Sequence, residues 1–191
     1  DNAEHAQHFP SAARAMGREE PISVVQRHTL GQLSQVGTLY FPGPNIGEQA
    51  HFRAHQGHRS WSLCGITHTT SSAFAMDALV ALTTSPVQPW DAVICTSLAV
   101  KDNVERVLAA QFDYLNDRLG ITKMVKPQLP VIPLGIHTDD FVSSDEQKAQ
   151  ARSSVGADDS TLVVLYMGRL SFHAKAHPLA MYQALESAAL Q

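Results

Sequence analysis

The sequence predicts an α/β protein: a parallel sheet layered with helices, with a second unit of the same kind beginning near the end. Three observations predict it. Short, almost continuous apolar runs lie at 60–67 (SWSLCGIT), 91–97 (DAVICTS) and 161–168 (TLVVLYMG), the pattern of strands covered on both faces. Each run precedes a segment of helical length, as the crossovers of a parallel sheet require. A polar, acidic stretch at 137–160 interrupts the alternation and sets one strand and one helix apart.

Composition limits the function classes. Apolar residues are 44% of the chain and charged residues 17%, enough for a core and too little charge for disorder. A net charge of -4 without a block of Lys or Arg argues against a general nucleic-acid surface, but not against a focused site for one small anion. No apolar run reaches the length of about 18 residues that a membrane span needs. The first 20 residues lack a basic region followed by an apolar run, so no secretory signal is expected. Cys64 and Cys95, each inside an apolar run, read as buried free thiols, which suits a reducing, cytoplasmic setting.

The elements follow in order. SAARAMGREE (11–20) reads as a short helix, and 21–33 as a strand start or a second helix. GTLYF (37–41) is a short strand stopped by PGPNIG (42–47), where two prolines and two glycines force a loop. A helix follows over 48–56. After the strand at 60–67, Ser71 or Ser72 caps a helix over 73–83 whose apolar stripe is Phe74, Ala78, Leu79 and Leu82. After the strand at 91–97, Val100, Val104, Val107, Leu108, Phe112, Leu115 and Leu119 recur at spacings of three and four, predicting a helix over 98–119 that Gly120 ends. LPVIPLGI (129–136) is a short strand. Ser144 and Gln147 form a capping box for a helix over 145–154. A strand over 161–168, a loop over 168–177 and a helix over 178–190 with Pro178 in its first turn complete the chain.

In such folds ligands bind beyond the carboxyl ends of the strands, so the chemistry is sought in those loops. In GRLSFHAK, Arg169 and Lys175 are two cations ahead of a helix N-terminus, a compact anion site if both face it and solvated loop charges if not. In GITHTTSS, His68 ends a buried strand among Thr67, Thr69, Thr70, Ser71 and Ser72; the set suits sugar hydroxyls or simply a helix cap. Asp139 and Asp140 read as a solvated cap rather than a divalent-ion site. His51, His55 and His58 share one helix face, but a zinc site needs further ligands, and with His173 and His177 they are assigned no metal. Neither GxGxxG nor GxxxxGK[ST] occurs, which removes the dinucleotide fingerprint and the P-loop.

These residues carry a resemblance. VIPLGIHTDDF (131–141) and, about twenty residues on, VVLYMGRLSFHAKAHPLAMYQAL (163–185) resemble the hinge and the opening strand, loop and helix of the second domain of retaining glycosyltransferases of family 4. Those enzymes have two Rossmann-like domains facing a cleft, the GT-B architecture. The hinge is matched by Pro133, Gly135, Ile136, Asp139, Asp140 and Phe141, with Leu134 where the family usually has Asn. The Gly-Arg-Leu landmark is matched by Gly168, Arg169 and Leu170, and its later Lys by Lys175, with Ala176 in place of the usual Gly. GITHT and DAVICTSLAVK resemble two segments of the first domain more weakly, with His68, Ser97 and Lys101 in the matching places.

The resemblance implies an internal fragment: residues 1–138 as an incomplete acceptor-side Rossmann-like domain, 139–160 as linker and helix, and 161–191 as the start of a nucleotide-sugar-binding domain. It implies that the parent transfers a sugar, with retention, from a UDP, GDP or ADP sugar to a glycan, lipid or small-molecule acceptor. Gly168, Arg169 and Lys175 would then hold the diphosphate, and His68 would lie near the transferred sugar. No metal or other cofactor is implied, and peripheral membrane contact of the parent stays open. The family's Glu-x7-Glu donor-binding pair does not lie in the stretch covered, so the fragment alone is expected to be inactive. A sugar-nucleotide 2-epimerase on the same scaffold, a non-catalytic glycan- or nucleotide-binding module, and a plain α/β domain are the alternatives.

Overall fold

A computed structural model of the chain describes residues 3–70, 72–169, 171 and 178–190. The chain divides into two units, Asp1–Ile132 and Pro133–Gln191.

The first unit opens with helix α1 (Ala3–Ala15). The helix expected over 11–20 therefore starts earlier, because Ala3, Glu4, Ala6 and Gln7, all good helix formers, extend it ahead of Pro10, and it stops before Gly17, whose φ of 75° turns the chain. The stretch read as a strand or helix forms tight 3-10 turns over Arg27–Gln35. Then come β1 (Thr38–Tyr40), α2 (Ile46–Ala54), β2 (Ser62–Thr67), α3 (Ala73–Ala81), β3 (Ala92–Cys95) and α4 (Leu98–Leu119). Ser72 caps α3 through Ala75 N–H, and Ser97 caps α4 through Val100 N–H. Gly120, at φ 69°, closes α4.

The three strands are parallel, in the order β1-β2-β3. Leu39 pairs with Leu63, and Ile66 with Ile94. The strand expected over 129–136 shrinks to two parallel bridges, Gln128 to Ala92 and Val131 to Cys95. Pro127, Pro130 and Pro133 have no N–H to continue a ladder. Each strand thus lies beside its predecessor, and the sheet grows in one direction. Parallel strands joined by helices that pack on them make the architecture Rossmann-like.

Leu63, Leu79, Leu82, Val93, Cys95, Val104 and Leu108 form the centre of the core. The strands are less uniformly covered than their composition suggests. Leu63, Gly65 and Thr67 are buried but Ser62 and Cys64 only half-buried; in β3, Val93 and Cys95 alternate with half-buried Ala92 and Ile94. Helix packing covers one face fully, which restores a period of two except at Ile66, which is buried as well. Phe74, in the first turn of α3, and Leu119, in the last turn of α4, stay exposed because helix ends overrun the packed layer.

A charged pair lies within this core. Arg53 of α2 and Asp91, just ahead of β3, have no solvent exposure. The guanidinium grips the carboxylate as a fork, Nη1 to Oδ1 at 2.6 Å and Nη2 to Oδ2 at 2.7 Å. Arg53 also donates to the carbonyls of Trp61 (2.9 Å) and Pro86 (3.3 Å). Asp91 accepts from the N–H groups of Leu63 (2.8 Å) and Gln88 (2.7 Å). One ion pair therefore ties the end of α2, the entry to β2 and the loop before β3.

The loop after β1 packs closely on β2. Ile66 donates to Gly43 O at 3.1 Å. A Cβ on Gly65 would lie 2.6 Å from that same oxygen and 2.7 Å from Ile46 Cγ2.

In the second unit, short turns over Thr138–Phe141 precede α5 (Asp145–Ser154), which carries the expected capping box of Ser144 and Gln147. Residues 161–167 belong to no helix or strand. Helix α6 (Leu179–Ala189) follows Pro178. None of the described residues of this unit is buried.

Arg53→Met leaves the Asp91 carboxylate buried without its cation and is expected to cost about 3–5 kcal/mol in urea unfolding. Replacing both residues by apolar ones of similar volume should restore much of that loss; an unchanged midpoint for Arg53→Met would show that the pair holds nothing. Gly65→Ala forces the 42–45 loop off the sheet, with an expected cost of about 1–3 kcal/mol.

Candidate functional site

The carboxyl ends of β2 and β3 form the rim where the sequence places its chemistry. Much of the polar equipment there is already engaged. Thr67 Oγ1 donates to Ile94 O at 3.0 Å, and Thr96 Oγ1 donates to Thr67 O at 3.2 Å, which locks the two strand ends together. Ser72 and Ser97 accept from their own helices. These hydroxyls fix the rim rather than offering themselves to a ligand.

His68 differs. It follows the fully buried Thr67 directly, so its backbone leaves the sheet from a fixed point, while its side chain is exposed. The imidazole has no hydrogen-bond partner among the described residues. Thr70 beside it is half-buried, and Ser71 lies outside the described residues. Lys101, one turn into α4, pairs at 3.8 Å with Glu105. An imidazole on a rigid stem can donate to or accept from a sugar hydroxyl.

In the second unit, Gly168 and Arg169 follow the apolar 161–167 run. Arg169 O accepts from Tyr166 Oη at 3.3 Å and from Ser171 N–H at 2.9 Å, so the chain turns at this carbonyl. A Cβ on Gly168 would lie 2.9 Å from Tyr166 Oη, which makes glycine the residue that lets the tyrosine fold back. The Arg169 guanidinium is exposed and pairs with no carboxylate among the described residues. Lys175, His173 and His177 lie outside the described residues. His68 belongs to the first unit and Arg169 to the second.

The remaining candidates divide plainly. His51, His55 and His58 are exposed, and among the described residues no group of His, Cys, Asp or Glu could hold a metal. Asp139 and Asp140 are exposed in their short turn. Both cysteines are free thiols, and burial pushes both pKa values up; at Cys95 Glu105 also raises it, against the lowering pull of Lys101 and Thr67. No helix among the described residues is long and apolar enough to cross a membrane. A groove of about 390 Å³ between α4 and residues 126–129 is lined by Lys101, Glu105, Leu108 and Lys126 among others, and touches none of His68, Gly168 and Arg169.

Sequence reasoning missed Arg53 and Asp91. A signal was present: Arg53 continues the Ile46 and Ala50 face of α2, the buried face, while the neighbouring histidines take the other side. It also missed the turn that leads into the 161–167 run. There Ser160 Oγ and Thr161 Oγ1 each donate to Asp158 Oδ1 at 2.7 Å, and Arg152 donates to the carbonyls of Asp158 and Thr161.

The hydroxyls of Ser160 and Thr161 hold the Asp158 carboxyl below its ordinary pKa. Its stabilising effect is therefore present above the unfolded value, near 3.9, and is lost as pH falls through the lower folded value. Amide resonances of 158–161 followed by NMR should move together below about pH 4, and Asp158→Asn should abolish that step. Comparison with protein families, with curated proteins and with solved structures finds no match to this chain.

Proposed function

We propose that this chain forms part of a retaining glycosyltransferase of GT-B architecture that uses a nucleoside diphosphate sugar. The observation that carries the reading is the Gly168-Arg169-Leu170 landmark with Lys175 behind it, together with an exposed Arg169 guanidinium that no carboxylate neutralises among the described residues. The Rossmann-like first unit, with His68 at a strand end, supports it.

On this reading the bond between the anomeric carbon and the diphosphate breaks, its electron pair leaving with the diphosphate oxygen, as the acceptor hydroxyl bonds to that carbon on the same face and passes its proton to the departing diphosphate. Negative charge grows on the departing diphosphate oxygen. Arg169 and Lys175 meet it with charge-assisted hydrogen bonds, which strengthen as that charge develops. His68 hydrogen-bonds the transferred sugar. The donor, a glycan, lipid or small-molecule acceptor, and a cytoplasmic setting belong to the same proposal.

Titration of the chain with UDP, GDP, ADP and pyrophosphate, followed by calorimetry and by the Arg169 side-chain NMR signal, tests it. Pyrophosphate and at least one nucleotide should bind. Arg169→Ala should weaken binding about tenfold or more, as loss of a charged hydrogen bond does, with unchanged circular dichroism. Absence of binding, or an Arg169→Ala variant that binds equally, defeats the reading. Binding by a full-length parent that turns over no donor would favour the non-catalytic module.

A further inference from the structure

Asparagine is among the residues that most often cap a helix with the side chain. Asn45 stands at the cap of α2 and does not do so. Its φ of -80° and ψ of 44° put it at the centre of a γ-turn, in which Ile46 N–H donates to Pro44 O at 2.9 Å. The turn itself satisfies the first N–H of the helix. Ser72, Ser97 and Ser144 each accept from the third N–H of their own helices. The Asn45 carboxamide, by contrast, makes no hydrogen bond among the described residues.

The position of Asn45 is nevertheless fixed. The chain continues along β2 after β1 has ended: Phe41 N–H donates to Cys64 O at 2.7 Å, and Ile66 N–H donates to Gly43 O at 3.1 Å. Asn45 comes two residues after Gly43, and His68 two residues after Ile66. Both therefore leave the carboxyl edge of the sheet from hydrogen-bonded neighbours, and such neighbours run about 5 Å apart. A Cβ on Gly43 would come within 2.9 Å of Asn45 Oδ1, so glycine there makes room for the carboxamide. Asn45 is half-buried and His68 exposed.

We infer that Asn45 and His68 together bind a neutral polyol, two neighbouring hydroxyls of a sugar ring, one to each side chain. A carboxamide and a neutral imidazole each offer a donor and an acceptor, and so does a hydroxyl. Glu48, exposed in the first turn of α2, repels an anion, so the ligand of this edge is not the diphosphate. A lipid with a single hydroxyl would leave one of the two side chains unmet. The inference rests on the proposed sugar transfer for its role. It adds a specificity-determining residue to His68 and narrows the group held there to a polyol. The hydroxyls can come from the acceptor or from the transferred sugar, which present the same chemistry.

Titration of the isotope-labelled chain with the methyl α-pyranosides of glucose, mannose and galactose, followed by NMR, tests it. At least one glycoside should shift the amide resonances of 43–47 and 67–69 together, and 1-propanol should not. Asn45→Ala and His68→Ala should each weaken that binding about three- to tenfold, the effect of one hydrogen bond. Circular dichroism and melting should stay unchanged, since neither side chain bonds to the fold. UDP-glucose compared with UDP separates the sources. A preference for UDP-glucose that Asn45→Ala removes assigns the hydroxyls to the transferred sugar; glycoside binding without that preference assigns them to the acceptor. No shift with any glycoside, or an Asn45→Ala variant that binds as the wild type does, overturns the inference. Pyrophosphate binding at Arg169 is read separately: glycoside binding without it defeats the proposed transfer alone, and the converse defeats this inference alone.

Discussion

The first unit depends on one buried ion pair. Arg53 and Asp91 lie 38 residues apart, and each is costly to bury alone. Together with two backbone N–H groups and two carbonyls they satisfy most of each other's valences. The pair stands where α2 ends and where β2 and β3 begin, so it fixes the strand entries while hydroxyl bonds fix the strand exits. Two donors in this region, Arg53 Nε and Trp61 Nε1, have no partner among the described residues. The geometry is therefore selective more than it is strong: apolar residues could fill the space, but they would not dictate which loop carbonyls meet the helix end.

The strand exits show the complementary arrangement. Thr67, Thr96, Ser72 and Ser97 spend their hydroxyls on neighbouring backbone. This leaves His68 projecting from a stiff base. Arg169 is held differently, by two hydrogen bonds to its own carbonyl, so its backbone is constrained while its guanidinium remains in water. Both arrangements separate the part of a residue that must be fixed from the part that must meet a ligand.

Local signals were legible where a single turn of chain decides the outcome. The Ser72 cap of α3, the Gly120 boundary of α4 and the Ser144 and Gln147 box of α5 are interactions between residues a few positions apart, and their spacing reveals them. Signals that need a distant partner were not. An arginine in a helix ordinarily reads as solvated, and nothing near Arg53 names Asp91. The 161–167 run reads as a strand because composition encodes a preference for extension, yet a strand exists only through its neighbours. The proline-rich 127–133 stretch shows the converse: its few bridges depend on β3, and the missing N–H groups limit them. Of the site, the position of His68 at a strand end followed from the alternation of elements, whereas the engagement of the hydroxyls around it did not.

The one-way growth of the sheet has a consequence for recognition. Open α/β sheets form their ligand crevice at a topological switch point, where successive connections depart to opposite sides. From β1 through Val131 each strand is laid beside the last in the same sense, with no such reversal among the described residues. Over these strands the rim that bears His68 is a single wall. A molecule resting on it would remain half in solvent until something outside this sheet closed over the other side, and selectivity would be decided largely by that second surface.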